Sequence, residues 1–128
     1  GYLVDNTAPT VSSIALTSAS GIENSTLNAG DVVSVTVTMS EATTVSGTPQ
    51  LALNIGGTSV QADYVSGSGT TDLLFNYTIL ASQNDSNGIS IDANSLSLNG
   101  ATLADAAGNN AVLTHAAVAD RNIVSANT

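Results

Sequence analysis

The chain has 128 residues, of which 42% are hydrophobic, enough for one folded domain with a core. Ten acids face a single base, Arg121, and the formal net charge is −9. Such a chain cannot build the basic surface that nucleic acids and anionic membranes require, and it has no apolar run of membrane-spanning length. We therefore expect no nucleic-acid partner and no direct membrane insertion, whereas cations suit an excess of carboxylates.

The two ends of the chain have the composition of linkers. Residues 5–9 are polar and end in a proline, which favours extended backbone before it. The chain opens Gly-Tyr with no visible signal peptide, so we expect a segment of a longer protein. The expected division is a linker or the end of a preceding repeat in 1–9, one domain in 10–120 and a C-terminal linker in 121–128. Cysteine is absent, so metal or neighbouring domains would have to replace disulfides.

Residues 31–41 carry the clearest strand pattern. Apolar residues alternate there with serine and threonine, which gives one apolar and one polar face. The pattern predicts a central antiparallel strand with one solvated face. Residues 10–17 alternate similarly and predict the first strand, and the Ser-, Asn- and Gly-rich residues 18–30 predict a loop.

The middle of the chain predicts a hairpin and an aromatic strand. Residues 41–49 contain a glycine and a proline and are predicted to be a loop. Alternation in 51–55 and again in 60–64, with Gly56-Gly57 between them, predicts a hairpin with a two-residue turn. After a flexible turn, residues 73–79 predict the next inward face.

The last third of the sequence predicts short strands and turns. Residues 89–91 are a short extended stretch, residues 92–94 suit a local turn, and Asn99-Gly100 is another turn signal. Residues 105–109 predict a tight loop, and residues 112–118 predict the last strand. About seven strands with no long helical period indicate an all-β fold, an immunoglobulin-like antiparallel β-sandwich, with a closed barrel as the competitor.

The acids fall mostly in loops. In immunoglobulin-like strand order, alternate loops lie at opposite ends of the sandwich, which would gather carboxylates at both ends. One end would hold Asp5, Glu41, Asp72 and Asp105, and the other Glu23, Asp31, Asp85 and Asp120. Calcium takes about six to eight oxygen ligands, and carboxylates at a shared end suit it. The alternative for each acid is an ordinary turn or cap.

The sequence shows no clear catalytic site and no known binding motif. The chain has one histidine, His115, and no cysteine, so no nucleophile–base pair stands out, and we expect no enzyme. His115 is expected to be a strand residue near the surface. Residues 83–88 superficially suggest a calcium-binding helix-loop-helix, but the closing Glu and the flanking helices are missing, and we reject that motif.

Several stretches together resemble the bacterial Ig-like tandem repeats of large, type I-secreted (RTX/Bap-like) surface adhesins. They are Asp5-Asn-Thr-Ala-Pro-Thr-Val, residues 30–41, residues 47–56, residues 67–78, Asn87-Gly-Ile-Ser-Ile and Asp105-Ala-Ala-Gly-Asn. The resemblance implies an extracellular location on the bacterial cell surface and monomeric β-sandwich modules in tandem. Their partners would be the neighbouring repeats, with calcium at the junctions.

By motif, the resemblance assigns Asp5, Glu41, Asp105 and Asn109 to a first calcium junction, and Asp31 and Asp120 to the other end. The expected function is a calcium-stiffened extender that projects a distal binding domain in adhesion or biofilm formation. The alternative is a module that binds a glycan, a host protein or ice through its loops or a flat sheet face. A catalytic domain is the third hypothesis.

Overall fold

The computed structural model describes residues 4–23, 26–119 and 125–126. All regular secondary structure in this part of the chain is β-strand. The strands are β1 (Val11–Ser20), β2 (Thr26–Leu27), β3 (Val32–Ser46), β4 (Gln50–Ile55), β5 (Thr58–Ser66), β6 (Thr70–Thr78), β7 (Leu96–Ser97), β8 (Thr102–Ala104) and β9 (Ser125–Ala126).

One curled antiparallel sheet holds seven of these strands. Its order is β1-β3-β6-β5-β4-β7, and β8 pairs separately with the far end of β3. β2 and β9 form a small parallel pair beside it. The prediction of an all-β chain is thus confirmed.

The alternation of the sequence produces the core. In β3, β4 and β6 the inward residues are buried and the outward ones are partly or fully exposed, as the period of two requires. The only phenylalanine, Phe75, is fully buried, and Tyr64 packs edge-on against it with ring centroids 5.9 Å apart. Leu27, Ile79, Ile89 and Ile91, from outside the main sheet, complete the same cluster.

The central strand is longer than the sequence indicated. The expectation of a loop in residues 41–49 is wrong for its first part, because β3 continues to Ser46. The continuation is stabilised by β8, which pairs Thr44 with Ala104 and Val45 with Leu103. Thr43 is fully buried although polar, and its hydroxyl donates to the Glu41 carbonyl at 3.0 Å.

The predicted last strand, residues 112–118, is not a continuous strand. Its strand-like pairing is limited to two isolated bridges, Val112 to Thr10 and Val118 to Ile91. The two ends of the segment pair with different neighbours, so no ladder forms between them. The predicted Gly56-Gly57 hairpin is present, with Ile55 paired to Thr58.

The termini of the described chain contact the domain. Pro9 is buried, and its carbonyl accepts the backbone N–H of Val112 at 2.8 Å. Ala126, within the expected C-terminal linker, is fully buried and exchanges backbone hydrogen bonds with Asp85.

Candidate metal centre

The loop after β8 is closed by one asparagine. The Asn109 backbone N–H donates to Asp105 Oδ1 at 2.8 Å, and its side-chain amide donates to Asp105 Oδ2 at 2.9 Å. Asp105 is only 5% exposed. Both oxygens of a buried carboxylate thus accept hydrogen bonds from Asn109, which fixes the orientation of the carboxylate.

The same asparagine binds the N-terminal linker. Asn109 Nδ2 also donates to the backbone carbonyl of Asp5 at 2.8 Å. The Asp5 side chain accepts the Thr7 N–H at 2.9 Å, a local turn that orients its carboxylate. Asn109 therefore connects the 105–109 loop to the chain before β1.

Three carboxylates from distant parts of the sequence meet at this point. Asp5 comes from the linker, Glu41 from β3 and Asp105 from the loop after β8, and one carboxylate oxygen from each lies within 4.8 Å of the other two. Asp5 is exposed, Glu41 is half-buried and Asp105 is buried. Oxygen donors of this kind suit hard divalent cations, of which calcium and magnesium are the common ones.

The surroundings of Glu41 and Asp105 shift their pKa values in opposite directions. Burial raises the pKa of the Glu41 carboxyl above its ordinary value, and its hydrogen bond to Asp105 and repulsion from Asp5 and Asp105 raise it further. The Asn109 side-chain amide lowers the pKa of Asp105, against the effect of burial. Without a cation, Glu41 therefore holds a proton more readily than Asp105 does.

Asp31 lies at the opposite end of the main sheet, where β3 begins. Its carboxylate accepts the Asn28 N–H at 2.8 Å, and its own N–H donates to the Asn28 carbonyl at 2.9 Å. A Cβ on Gly21 would clash with this carboxylate, so Gly21 and Asp31 fit closely.

Within the described ranges, Asp5, Glu41 and Asp105 form the one acidic group of metal-binding size. Asp120 lies outside the described residues.

Asp85 has a structural role that the sequence did not reveal. It is 2% exposed, and it accepts the backbone N–H of Gly56 at 2.9 Å and of Asn87 at 3.2 Å. The carboxylate ties the turn of the β4–β5 hairpin to the 84–88 loop. The one sequence signal for this role was the acid- and Asn-rich stretch 83–88, which superficially suggests a calcium-binding loop.

His115 makes more hydrogen bonds than the expected surface strand residue would. Its Nε2 accepts the backbone N–H of Ser95 at 2.8 Å and, less closely, that of Leu96 at 3.3 Å. Its Nδ1 lies 2.8 Å from the Ala116 carbonyl, so Nδ1 carries the proton in the tautomer that satisfies all three contacts. The imidazole therefore holds the start of β7.

No helix in the described ranges has the length and apolar character to cross a membrane. Comparison with protein-family models, with curated proteins and with solved structures found no match to this chain.

Proposed function

We propose that this chain is an extender module of a large bacterial surface adhesin: an immunoglobulin-like β-sandwich, extracellular, monomeric and non-enzymatic, whose partners are neighbouring modules. The observation that carries the proposal is that Asp5, in the linker, meets Glu41 and Asp105 of the domain within 4.8 Å. A cation at this point would fix the direction in which a preceding module leaves. The sequence resemblance to adhesin repeats supports calcium as that cation.

The physical effect of the cation follows from the charges. Three carboxylates this close repel one another, and the repulsion opposes docking of the linker. A divalent cation reverses the sign of this interaction and joins the linker to β3 and to the 105–109 loop. The remaining ligands, up to about six to eight in total, would come from water and backbone carbonyls. The linker would then resist bending.

The first test is a thermal melt with excess calcium and with chelator. Saturation at about a hundred times the Kd adds about 2.7 kcal/mol to the free energy of unfolding. For a domain of this size the expected rise in Tm is about 10 °C. Glu41→Gln and Asp105→Asn should abolish the rise. Asp92→Asn, the same charge change at an exposed site, should retain it, and magnesium in place of calcium measures selectivity.

A second test separates a site within one module from a site completed by two. A tandem chain of two copies is melted under the same conditions. A calcium-dependent rise in the tandem chain alone would mean that the neighbour supplies ligands. If neither protein responds to calcium, the calcium-stiffened extender is refuted and the carboxylates are turn residues.

A ligand-binding module is the second candidate, favoured by a polar row across the outer face of the sheet. Ser34, Asn76, Asp63, Gln50 and Ser97 are paired in register from β3 to β7. However, they largely satisfy one another, since Ser34 donates to Asn76 at 2.7 Å and Gln50 to Asp63 at 2.9 Å. We therefore prefer the extender. A glycan array and a surface-binding screen with the single domain distinguish the two candidates, because an extender should bind no glycan and no surface.

A further inference from the structure

Two Asn-Gly pairs occur in the chain, Asn87-Gly88 and Asn99-Gly100. Asparagine followed by glycine is the sequence most prone to cyclise, because glycine has no Cβ to hinder approach of its nitrogen to the preceding side chain. Whether a folded protein permits this depends on the exposure and freedom of each pair. The two pairs differ in the exposure of the glycine and in the hydrogen bonds that hold the asparagine.

The Asn99-Gly100 pair forms the exposed turn between β7 and β8. Both residues have positive φ, 49° and 78°, and the Ala101 N–H donates to the Leu98 carbonyl across the turn at 2.8 Å. These angles are those of a type I′ turn. Both residues are exposed, and no described atom beyond the chain neighbours lies within 4 Å of where a Gly100 Cβ would stand. Solvent base therefore has access to the Gly100 amide.

The Asn99 side chain is weakly tethered. Its amide makes a hydrogen bond to the Thr48 carbonyl at 3.2 Å, near the long limit for such a bond. Exposed bonds of this length exchange readily with water. The side chain can therefore leave this position and turn toward the Gly100 nitrogen when the turn opens locally.

The Asn87-Gly88 pair is protected at its glycine. Asn87 is exposed, but Gly88 is buried, and the Asn87 N–H donates to Asp85 Oδ1 at 3.2 Å. Asp85 is itself 2% exposed and accepts the Gly56 N–H. Cyclisation at Asn87 would require this loop to separate from the β4–β5 hairpin.

We propose that Asn99 is a site of spontaneous deamidation in the folded protein. The Gly100 nitrogen, after losing its proton to solvent base, attacks Cγ of Asn99. The Cγ–Nδ2 bond breaks and ammonia leaves with a proton from water, which gives a succinimide. Water then opens the ring at either carbonyl, so the product is aspartate or isoaspartate. The net reaction consumes one water and releases one ammonia.

The product alters the turn. A carboxylate at 99 cannot donate to the Thr48 carbonyl and adds one negative charge. Isoaspartate also inserts a methylene into the backbone of the turn, which lengthens the connection between β7, paired with β4, and β8, paired with β3. The pairing of Ser46 with Thr102, at the start of β8, would be the first to be disturbed. This inference does not depend on the proposed extender role.

The test uses the full chain and its own internal control. The folded protein is incubated at mildly alkaline pH, and peptide mapping by mass spectrometry follows both asparagines, with isoaspartate methylation as a second readout. We expect conversion at Asn99 to be about tenfold faster than at Asn87, which corresponds to about 1.4 kcal/mol in barrier. In denaturant the two rates should become similar, since only the fold separates them.

Two results would overturn the proposal. One is conversion at Asn87 as fast as at Asn99 in the folded chain. The other is no conversion at Asn99 over a period in which the denatured chain reacts fully. Asn99→Gln should abolish the product at this turn and leave the rate at Asn87 unchanged, which assigns the modified peptide.

Discussion

Asn109 and Asp5 lie 104 positions apart in the sequence, yet the Asn109 side-chain amide donates to the Asp5 carbonyl at 2.8 Å. The same amide group donates to Asp105 Oδ2 at 2.9 Å. One side chain therefore joins the linker to a buried acid even without a cation.

Asn109→Ala should destabilise the domain by about 1–3 kcal/mol, because a buried carboxylate loses its side-chain donor. Chemical denaturation in chelator measures the loss. The adjacent Asn110→Ala is the matched control, since Asn110 is exposed. Equal effects of the two substitutions would contradict the role assigned to Asn109.

The metal-free domain should lose stability as pH rises through the raised pKa of Glu41. The folded state binds that proton more tightly than the unfolded state does, so the contribution is fully present below the ordinary pKa of a glutamate. This stabilising contribution disappears once the pH exceeds the raised pKa of Glu41. Asp105 acts in the opposite sense: its pKa is lowered, so its contribution is lost as pH falls through that lowered value.

Thermal melts in chelator across this pH range, on wild type and Glu41→Gln, isolate the first effect. The wild type should weaken with rising pH, and the variant, which cannot ionise at this position, should not. Parallel curves for the two proteins would mean that Glu41 does not hold the proton. In excess calcium the trend should reverse, because the cation competes with the proton.

His115→Ala should release the start of β7 by removing the acceptor of the Ser95 and Leu96 N–H groups. The expected loss is about 1–3 kcal/mol, the usual effect of leaving partly buried donors unsatisfied. Hydrogen exchange should accelerate at these two amides more than in the rest of the sheet. Thr114→Ala, at an exposed neighbouring position, should change neither quantity. Unchanged exchange at Ser95 in His115→Ala would disprove the contact.

Phe75→Ala should be the most destabilising of these changes. The ring is fully buried in the centre of the sheet and contacts Tyr64, so its removal leaves a cavity and costs about 3–5 kcal/mol. Leu74→Ala, on the outer face of the same strand, should cost clearly less. Urea denaturation of both variants makes the comparison, and similar midpoints would argue against the assigned core face.

Much of the sheet could be predicted because its signal is local. Alternation marks β1, the first part of β3, β4, β5 and β6, and Gly56-Gly57 marks the hairpin. The continuation of β3 to Ser46 has no such signal: its partner β8 lies about sixty positions further on, and few of its residues are large and apolar. In residues 112–118 the reverse occurs, since alternation exists but no continuous partner does.

The candidate site shows the same limit. Asp5, Glu41 and Asp105 could be nominated as acids that share one end of the fold, but the hydrogen bond from Asn109 to the Asp5 carbonyl joins positions 104 apart, and no local pattern encodes it. Asp31 shows why composition alone is insufficient. Its carboxylate caps a turn, as Asp commonly does, at the other end of the sheet from the acidic cluster.

The long central strand also sets the order in which this domain can form. β3 pairs with β1, from which only residues 21–31 separate it, and with β8, whose Ala104 meets Thr44 only after most of the chain is present. Closing such long loops costs entropy before the pairing compensates for it, so folding should be slow for a domain of this size. During synthesis one edge of residues 43–46 would lack its partner until β8 arrives, which leaves that edge open to pairing with another chain.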